Sequence, residues 1–209
     1  MKLYDCTPAP NPRRVRIFIA EKGLDIPLEQ VDLRNKQQLT PEFQKINPFC
    51  DVPVLELDDG TCISQVNGIC RYLEATFPTP DLYGKNAKEQ GQIAMWDNYA
   101  FTHGISSVAD AFRNYAEGFK DRAVLGTRGY AQIPELAQRG KDRTLDFFAA
   151  MNNFLAEKEF IAGDRFSAAD ITTLVTVDFA KWIKVEIDAS QTHLLRWYDA
   201  VSTRPSAKA

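Results

Sequence analysis

The chain has 209 residues, 44% of them hydrophobic and 25% charged, with a net charge of −3 and an isoelectric point near 5.5. This composition is typical of a globular protein with a hydrophobic core, and the acidic balance argues against nucleic acid as a partner, because phosphate binding needs a basic surface. No apolar stretch reaches the roughly 20 residues of a membrane-spanning helix and no signal peptide is visible, so we expect a cytoplasmic protein that does not engage a membrane.

The first eighty residues alternate between strand and helix patterns. Asn11 is a favoured N-cap residue with Pro12 behind it, and Asp59-Gly60 is a strong hairpin signal. The predicted elements are strand Lys2–Asp5, a helix from Asn11 to Gly23, strand Pro27–Leu33, helix Pro41–Ile46, strands Val52–Leu57 and Thr61–Ile63, and helix Gln65–Phe77. This βαβαββα order predicts an α/β thioredoxin-like domain over residues 1–78.

The second half of the chain reads as an all-helical domain. Turn-forming residues predict a linker over residues 79–86, and strand patterns nearly vanish from residue 87 to residue 209. Long helices are predicted over Lys85–Gly118 and Ile133–Lys158. Ser167 and Asp170 have the spacing of a capping box, which predicts another helix start.

Histidine and cysteine usage argues against a metal site. The four cysteines form no C-x-x-C pair and have no zinc spacing, and the chain has only two histidines. We therefore expect free thiols and no metal.

Three separated motifs resemble the glutathione S-transferase family. They are Val52-Pro53 at a strand start, where an X-Pro bond is a candidate for a cis peptide, Gln65 at a helix start, and Gly163-Asp-Arg-Phe-Ser-Ala-Ala-Asp-Ile171. The resemblance covers essentially the whole chain. It implies a thioredoxin-like glutathione-binding domain followed by a helical domain, and glutathione as co-substrate.

The resemblance also implies which residues hold glutathione. The Val52 backbone beside Pro53 would pair with the cysteinyl part, and Gln65 with the N–H of Val66 would bind the γ-glutamyl end. Gln38 would contact the glycyl carboxylate, although a solvated loop residue is an equal alternative. Asp51 stands where many relatives carry Lys or Arg, so its carboxylate should disfavour the anionic tripeptide unless it points away.

Activation of the thiol is the weak point of the resemblance. Family members with an activating serine or a cysteine nucleophile carry it at the position of Ala9, which has neither group. Asn11 resembles the asparagine of the Pro-x-Pro-Asn loop of bacterial nu-type transferases, and its NH2 group could donate to the sulfur. The alternative is that Asn11 only caps its helix. Cys6 is a weaker candidate nucleophile.

The second substrate would be a small hydrophobic electrophile, bound by a homodimer. Ala9, Tyr99 and His103 are the candidate pocket residues, although an aromatic stripe is more often core. Conjugation in detoxification, peroxide reduction and thiol-dependent isomerisation all fit this apparatus. The alternatives to an enzyme are a non-catalytic interaction module, favoured by Ala9, Asp51 and Val66, and a ligand carrier.

Overall fold

The structure, a computed structural model, describes all 209 residues and divides into two compact units. Unit 1 contains Met1–Pro80, Val124–Gly129 and Ala209, and unit 2 contains Asp81–Ala123 and Tyr130–Lys208. None of the helices has the length and apolar character that spanning a membrane requires.

Unit 1 is built on a four-stranded sheet with the order β2-β1-β3-β4. Its elements are β1 (Lys2–Asp5), α1 (Pro10–Glu21), β2 (Leu28–Gln30), a 3₁₀ turn (Gln37–Leu39), α2 (Pro41–Ile46), β3 (Val54–Glu56), β4 (Cys62–Ser64) and α3 (Val66–Thr76). Strand β1 runs parallel to β2 and antiparallel to β3, which in turn is antiparallel to β4. The order confirms the predicted thioredoxin-like domain.

Helix α1 begins two residues earlier than the sequence suggested, because Asn11 was predicted as its N-cap and Pro12 as its first helical residue. Pro10 is the first helical residue and Ala9 is the N-cap, with no side-chain hydrogen bond to the helix. The prediction that Asn11 caps the helix is therefore wrong. Proline at position 10 has the φ angle that the first helical position needs, so the helix starts there and Asn11 becomes its second residue.

Unit 2 is all-helical, as predicted. Its helices are α4 (Ala87–Tyr99), α5 (Ser106–Tyr115), α6 (Pro134–Phe154), α7 (Ala168–Ala180) and α8 (Thr192–Ser202). A π-helical turn, Ala100–Ile105, joins α4 directly to α5. The long helix predicted over residues 85–118 is thus one helical run with a π turn inside it.

The predicted capping box starts α7, which is buried around most of its circumference. The Asp170 carboxylate is fully buried and accepts the N–H groups of Ser167, at 3.0 Å, and of Ile161, at 2.9 Å. It also accepts the Ser167 hydroxyl and Trp197 Nε1–H, each at 2.9 Å. Burial raises the pKa of Asp170 to about 6, although the four donors act in the opposite direction.

Candidate functional site

The first turn of α1 offers few backbone donors. The amides at the start of a helix normally lack an intrahelical acceptor and can bind an anion. Here Pro10 and Pro12 carry no N–H, the Ala9 N–H donates to Cys6 O at 2.8 Å, and the Arg13 N–H donates to Ala9 O at 3.2 Å. Asn11 therefore supplies the one first-turn amide that is left for a ligand.

The Asn11 side chain adds a second donor at the same place. Its Oδ1 accepts a long hydrogen bond from Arg14 Nη1, at 3.4 Å. Because one end of the amide is turned to a cation, the Nδ2 group is the end left to donate. The half-buried Asn11 thus brings a main-chain and a side-chain N–H to the positive end of α1.

The nearby cysteine is a poor nucleophile. Cys6 is half-buried, and burial raises the pKa of its thiol. A reactive cysteine needs the opposite shift, because the thiolate is the nucleophile. Ala9, which contributes no polar group, lies between this thiol and Asn11 in the chain.

The backbone at Val52 lies outside the sheet. The Val52–Pro53 bond is cis, as predicted. Pairing of β3 with β1 ends at Val54 opposite Tyr4, and pairing with β4 ends at Val54 opposite Ser64. The N–H and C=O of Val52 are therefore not used by the sheet ladders, which is the arrangement that pairing with an extended peptide requires.

Gln65 and Asp51 are joined by a hydrogen bond. Gln65 is the N-cap of α3 and has a left-handed φ of 69°, which is uncommon for a residue with a side chain. Its Nε2 donates to Asp51 Oδ2 at 3.0 Å, while Asn47 Nδ2 donates to Asp51 Oδ1 at 2.7 Å and to the Asp51 carbonyl at 2.9 Å. The carboxylate faces Gln65 and does not point away. Because Nε2 of the Gln65 amide is bound to Asp51, Oε1 is the end left to accept a hydrogen bond, and Val66 follows at the first helical position.

Gln38 is not a solvated loop residue. It lies in the 3₁₀ turn, is 5% exposed, and its Oε1 has no hydrogen-bond partner. A buried oxygen without a donor is rare, which sets Gln38 apart from the other polar side chains of unit 1.

An aromatic row runs along α4 into the π turn of unit 2. Tyr99 stacks on His103 with ring centroids 4.4 Å apart, and Trp96 meets Tyr99 edge to face at 5.8 Å. Trp96 is buried, Tyr99 half-buried and His103 exposed. The three rings contact one another in chain order, and the exposed end of the row is at His103.

Sequence reasoning missed the residues that orient side chains of the candidate site. Arg14 donates a side-chain hydrogen bond to the predicted site residue Asn11. Asn47 donates one to Asp51, which lies next to the predicted site residue Val52. The only sequence signal was Arg14 at helical spacing from Asn11. No group of three or more His, Cys, Asp or Glu residues is placed to hold a metal ion.

Two family models match the chain. The model described as "Glutathione S-transferase, N-terminal domain" matches residues 9–76, and the one described as "Glutathione S-transferase, C-terminal domain" matches residues 119–205.

Individual relatives match over the full length. The chain is 34% identical over 210 residues to glutathione S-transferase 2 of Saccharomyces cerevisiae, covering 100% of this chain and 88% of that one. Among solved structures, a glutathione S-transferase domain-containing protein of Marinobacter aquaeolei VT8 is 40% identical, with a TM-score of 0.91 and 99% of both chains covered. A glutathione S-transferase of class Gtt2 from Vibrio parahaemolyticus is 31% identical, with a TM-score of 0.85, over 100% of this chain and 96% of that one.

Proposed function

This chain belongs to the glutathione S-transferase family, and we propose that it binds reduced glutathione in unit 1 and activates the thiol toward a small hydrophobic electrophile. The observation that carries the proposal is the pair of N–H donors on Asn11 at the start of α1. A thiol of unperturbed pKa about 8.5 is mostly protonated at neutral pH, and donors to the sulfur favour the thiolate.

The reaction that this arrangement supports is nucleophilic attack by sulfur. The thiol loses its proton to solvent, the thiolate forms a C–S bond with the electrophilic carbon, and the leaving group departs with the bonding electrons or, in an addition, the electrons move onto the acceptor. Asn11 lowers the free energy of the charged sulfur and does not itself take the proton, because an amide does not titrate.

Three further contacts would hold the peptide. The free N–H and C=O of Val52 would pair with the cysteinyl residue beside Pro53. The Gln65 Oε1, the end of the amide that Asp51 leaves free, would accept a hydrogen bond from the α-ammonium group of the γ-glutamyl residue, and the Val66 N–H at the start of α3 would bind its carboxylate. Gln38 would contact the glycyl carboxylate through the NH2 group of its side-chain amide.

Family membership supports the remaining proposals. We propose Ala9, Tyr99 and His103 as contacts of the electrophile. We also propose a cytoplasmic homodimer with a role in detoxification, a domain division at residues 1–78 and 87–209, and a linker at 79–86. Large apolar side chains exposed in the single copy, such as Phe49 at 62% and Met95 at 56%, support self-association, which light scattering would measure.

Calorimetric titration with glutathione and S-hexylglutathione tests the proposal. Binding of both, together with thiolate absorbance of bound glutathione at neutral pH, is the expected result. Absence of binding would reject the enzyme and favour the interaction module. Binding without a thiolate would point to a ligand carrier.

A further inference from the structure

Four residues form a closed ring of hydrogen bonds at the loop that leads into α1. Arg16 Nη1 donates to Asp5 Oδ1 and Gln30 Nε2 donates to Asp5 Oδ2, each at 2.5 Å. Arg16 Nη2 donates to the Thr7 carbonyl at 2.9 Å. The Gln30 Oε1 closes the ring by accepting the Thr7 N–H at 3.0 Å and the Thr7 hydroxyl at 2.9 Å. We call these four residues the polar ring.

The polar ring joins three elements to one loop residue. Asp5 ends β1 and is fully buried, Arg16 lies in α1 and is 8% exposed, and Gln30 ends the edge strand β2. The N–H, the hydroxyl and the carbonyl of Thr7 are all bound by the ring. A threonine in a loop is thus fixed in position and orientation.

The chain from Thr7 to Asn11 is stiff. Pro8, Pro10 and Pro12 alternate with the other residues, and each proline fixes its own φ angle. An orientation imposed at Thr7 is therefore transmitted to Asn11 and is not absorbed by rotation of the backbone between them. The Ala9 N–H bond to Cys6 O restricts the same segment further.

We propose that the polar ring positions the two N–H groups of Asn11 against the glutathione sulfur, so that Arg16 and Gln30 are positioning residues for thiol ionisation. This inference rests on the proposed function. A misplacement of about 1 Å is enough to lose a large part of a positioned interaction, so opening the ring should weaken ionisation while leaving the peptide contacts of Val52 and Gln65 in place.

Gln30 offers a milder test of the polar ring than Arg16 does. Removing Arg16 would leave the buried Asp5 carboxylate without its cation, which is strongly destabilising. Gln30 is exposed on an edge strand, so water can replace its bonds to Thr7, and Asp5 loses one donor but keeps its Arg16 cation; Gln30→Ala should therefore lose much less stability than removal of Arg16. The neighbouring exposed Glu29, whose carboxylate pairs with Lys2, supplies the matched control Glu29→Gln.

The experiment compares three proteins by thiolate absorbance of bound glutathione against pH and by steady-state kinetics. In Gln30→Ala the pKa of the bound thiol should rise by about one unit. Turnover near neutral pH should fall about three- to fourfold, because the thiolate fraction falls up to about tenfold while the more basic thiolate is the stronger nucleophile. The KM for glutathione, measured at a pH below the pKa of the bound thiol, should change less than about twofold, since the peptide contacts are untouched. Glu29→Gln should match the wild type in all three.

A second variant separates positioning from general loosening. Thr7→Val removes the hydroxyl that Gln30 accepts, so the Thr7→Val, Gln30→Ala double variant should have the same thiol pKa as Gln30→Ala alone. A thiol pKa in the double variant that is clearly higher than in Gln30→Ala would overturn the inference. A thiol pKa in Gln30→Ala equal to that of the wild type would overturn it as well. If the wild type itself holds no thiolate, the proposed function fails and this inference fails with it. A wild-type thiolate that is insensitive to Gln30 rejects the positioning role alone.

Discussion

Replacing Asn11 by alanine removes one of the two donors that the first turn of α1 can offer to sulfur. The backbone N–H of residue 11 stays, because alanine retains it, while the side-chain NH2 is lost. A hydrogen bond to a charged acceptor contributes about 1.5–3 kcal/mol, so the pKa of the bound thiol should rise by about one to two units.

The effect on rate is smaller than the effect on ionisation. A thiolate of higher pKa is a better nucleophile, with a Brønsted slope of about 0.4–0.5, so roughly half of the loss in thiolate fraction is recovered. Turnover of Asn11→Ala at neutral pH should therefore fall about 3- to 10-fold. Asn11→Asp, which sets an anionic oxygen near the sulfur, should raise the thiol pKa further.

The assay is a pH titration of thiolate absorbance in the glutathione complex, combined with calorimetry on S-hexylglutathione. That ligand has no ionisable thiol, so its affinity should be the same in Asn11→Ala and the wild type. Asn153→Ala, an exposed asparagine on α6, is the control variant. A drop in S-hexylglutathione affinity as large as the drop in turnover would refute the reasoning and assign Asn11 a binding role.

Three further outcomes are expected. Asp51→Ala should weaken glutathione binding several-fold by calorimetry, because it releases Gln65; tighter binding would show that the carboxylate opposes the ligand. Since burial raises the pKa of Asp170 from 3.8 to about 6, the folded state takes up a proton between those values and unfolding free energy falls as pH rises through that window. In urea unfolding, the stability advantage of the wild type over Asp170→Asn should thus shrink by up to about 3 kcal/mol from pH 4 to pH 6, and a growing advantage would mean that the four donors outweigh burial. Gly140→Ala should destabilise by about 1–3 kcal/mol, because the added Cβ would lie 2.6 Å from backbone atoms of α5, whereas Gly91→Ala on α4, with nothing within 4 Å, should stabilise by up to about 1 kcal/mol.

Local signals in the sequence predicted local structure well. The hairpin at Asp59-Gly60 and the capping box of Ser167 and Asp170 each depend on residues within a few positions of one another, and both are present. The start of α1 was misassigned because two prolines, at 10 and 12, both suit a first helical turn. Spacing alone does not choose between them.

Features set by distant residues were not predictable in the same way. The π turn carries Gly104, where an added Cβ would lie 2.8 Å from Thr176 and 3.1 Å from Phe147. That close approach involves α6 and α7, far along the chain. Asp51 illustrates the same limit in the site: its charge alone predicts repulsion of the ligand, and no local pattern indicates its hydrogen bond to Gln65, fourteen residues away.

The prolines of the first turn explain why a transferase could depend on Asn11. A helix start with three free amides can stabilise a thiolate through its backbone alone, but here Pro10 and Pro12 remove two of the three. The side-chain amide restores one donor at a position that already supplies the remaining N–H. An amide has no proton to gain or lose near neutral pH, so the rate at saturating glutathione should rise with pH through a single ionisation, that of the bound thiol. A bell-shaped profile would instead require a second titrating group at the sulfur and would overturn the assignment of activation to Asn11.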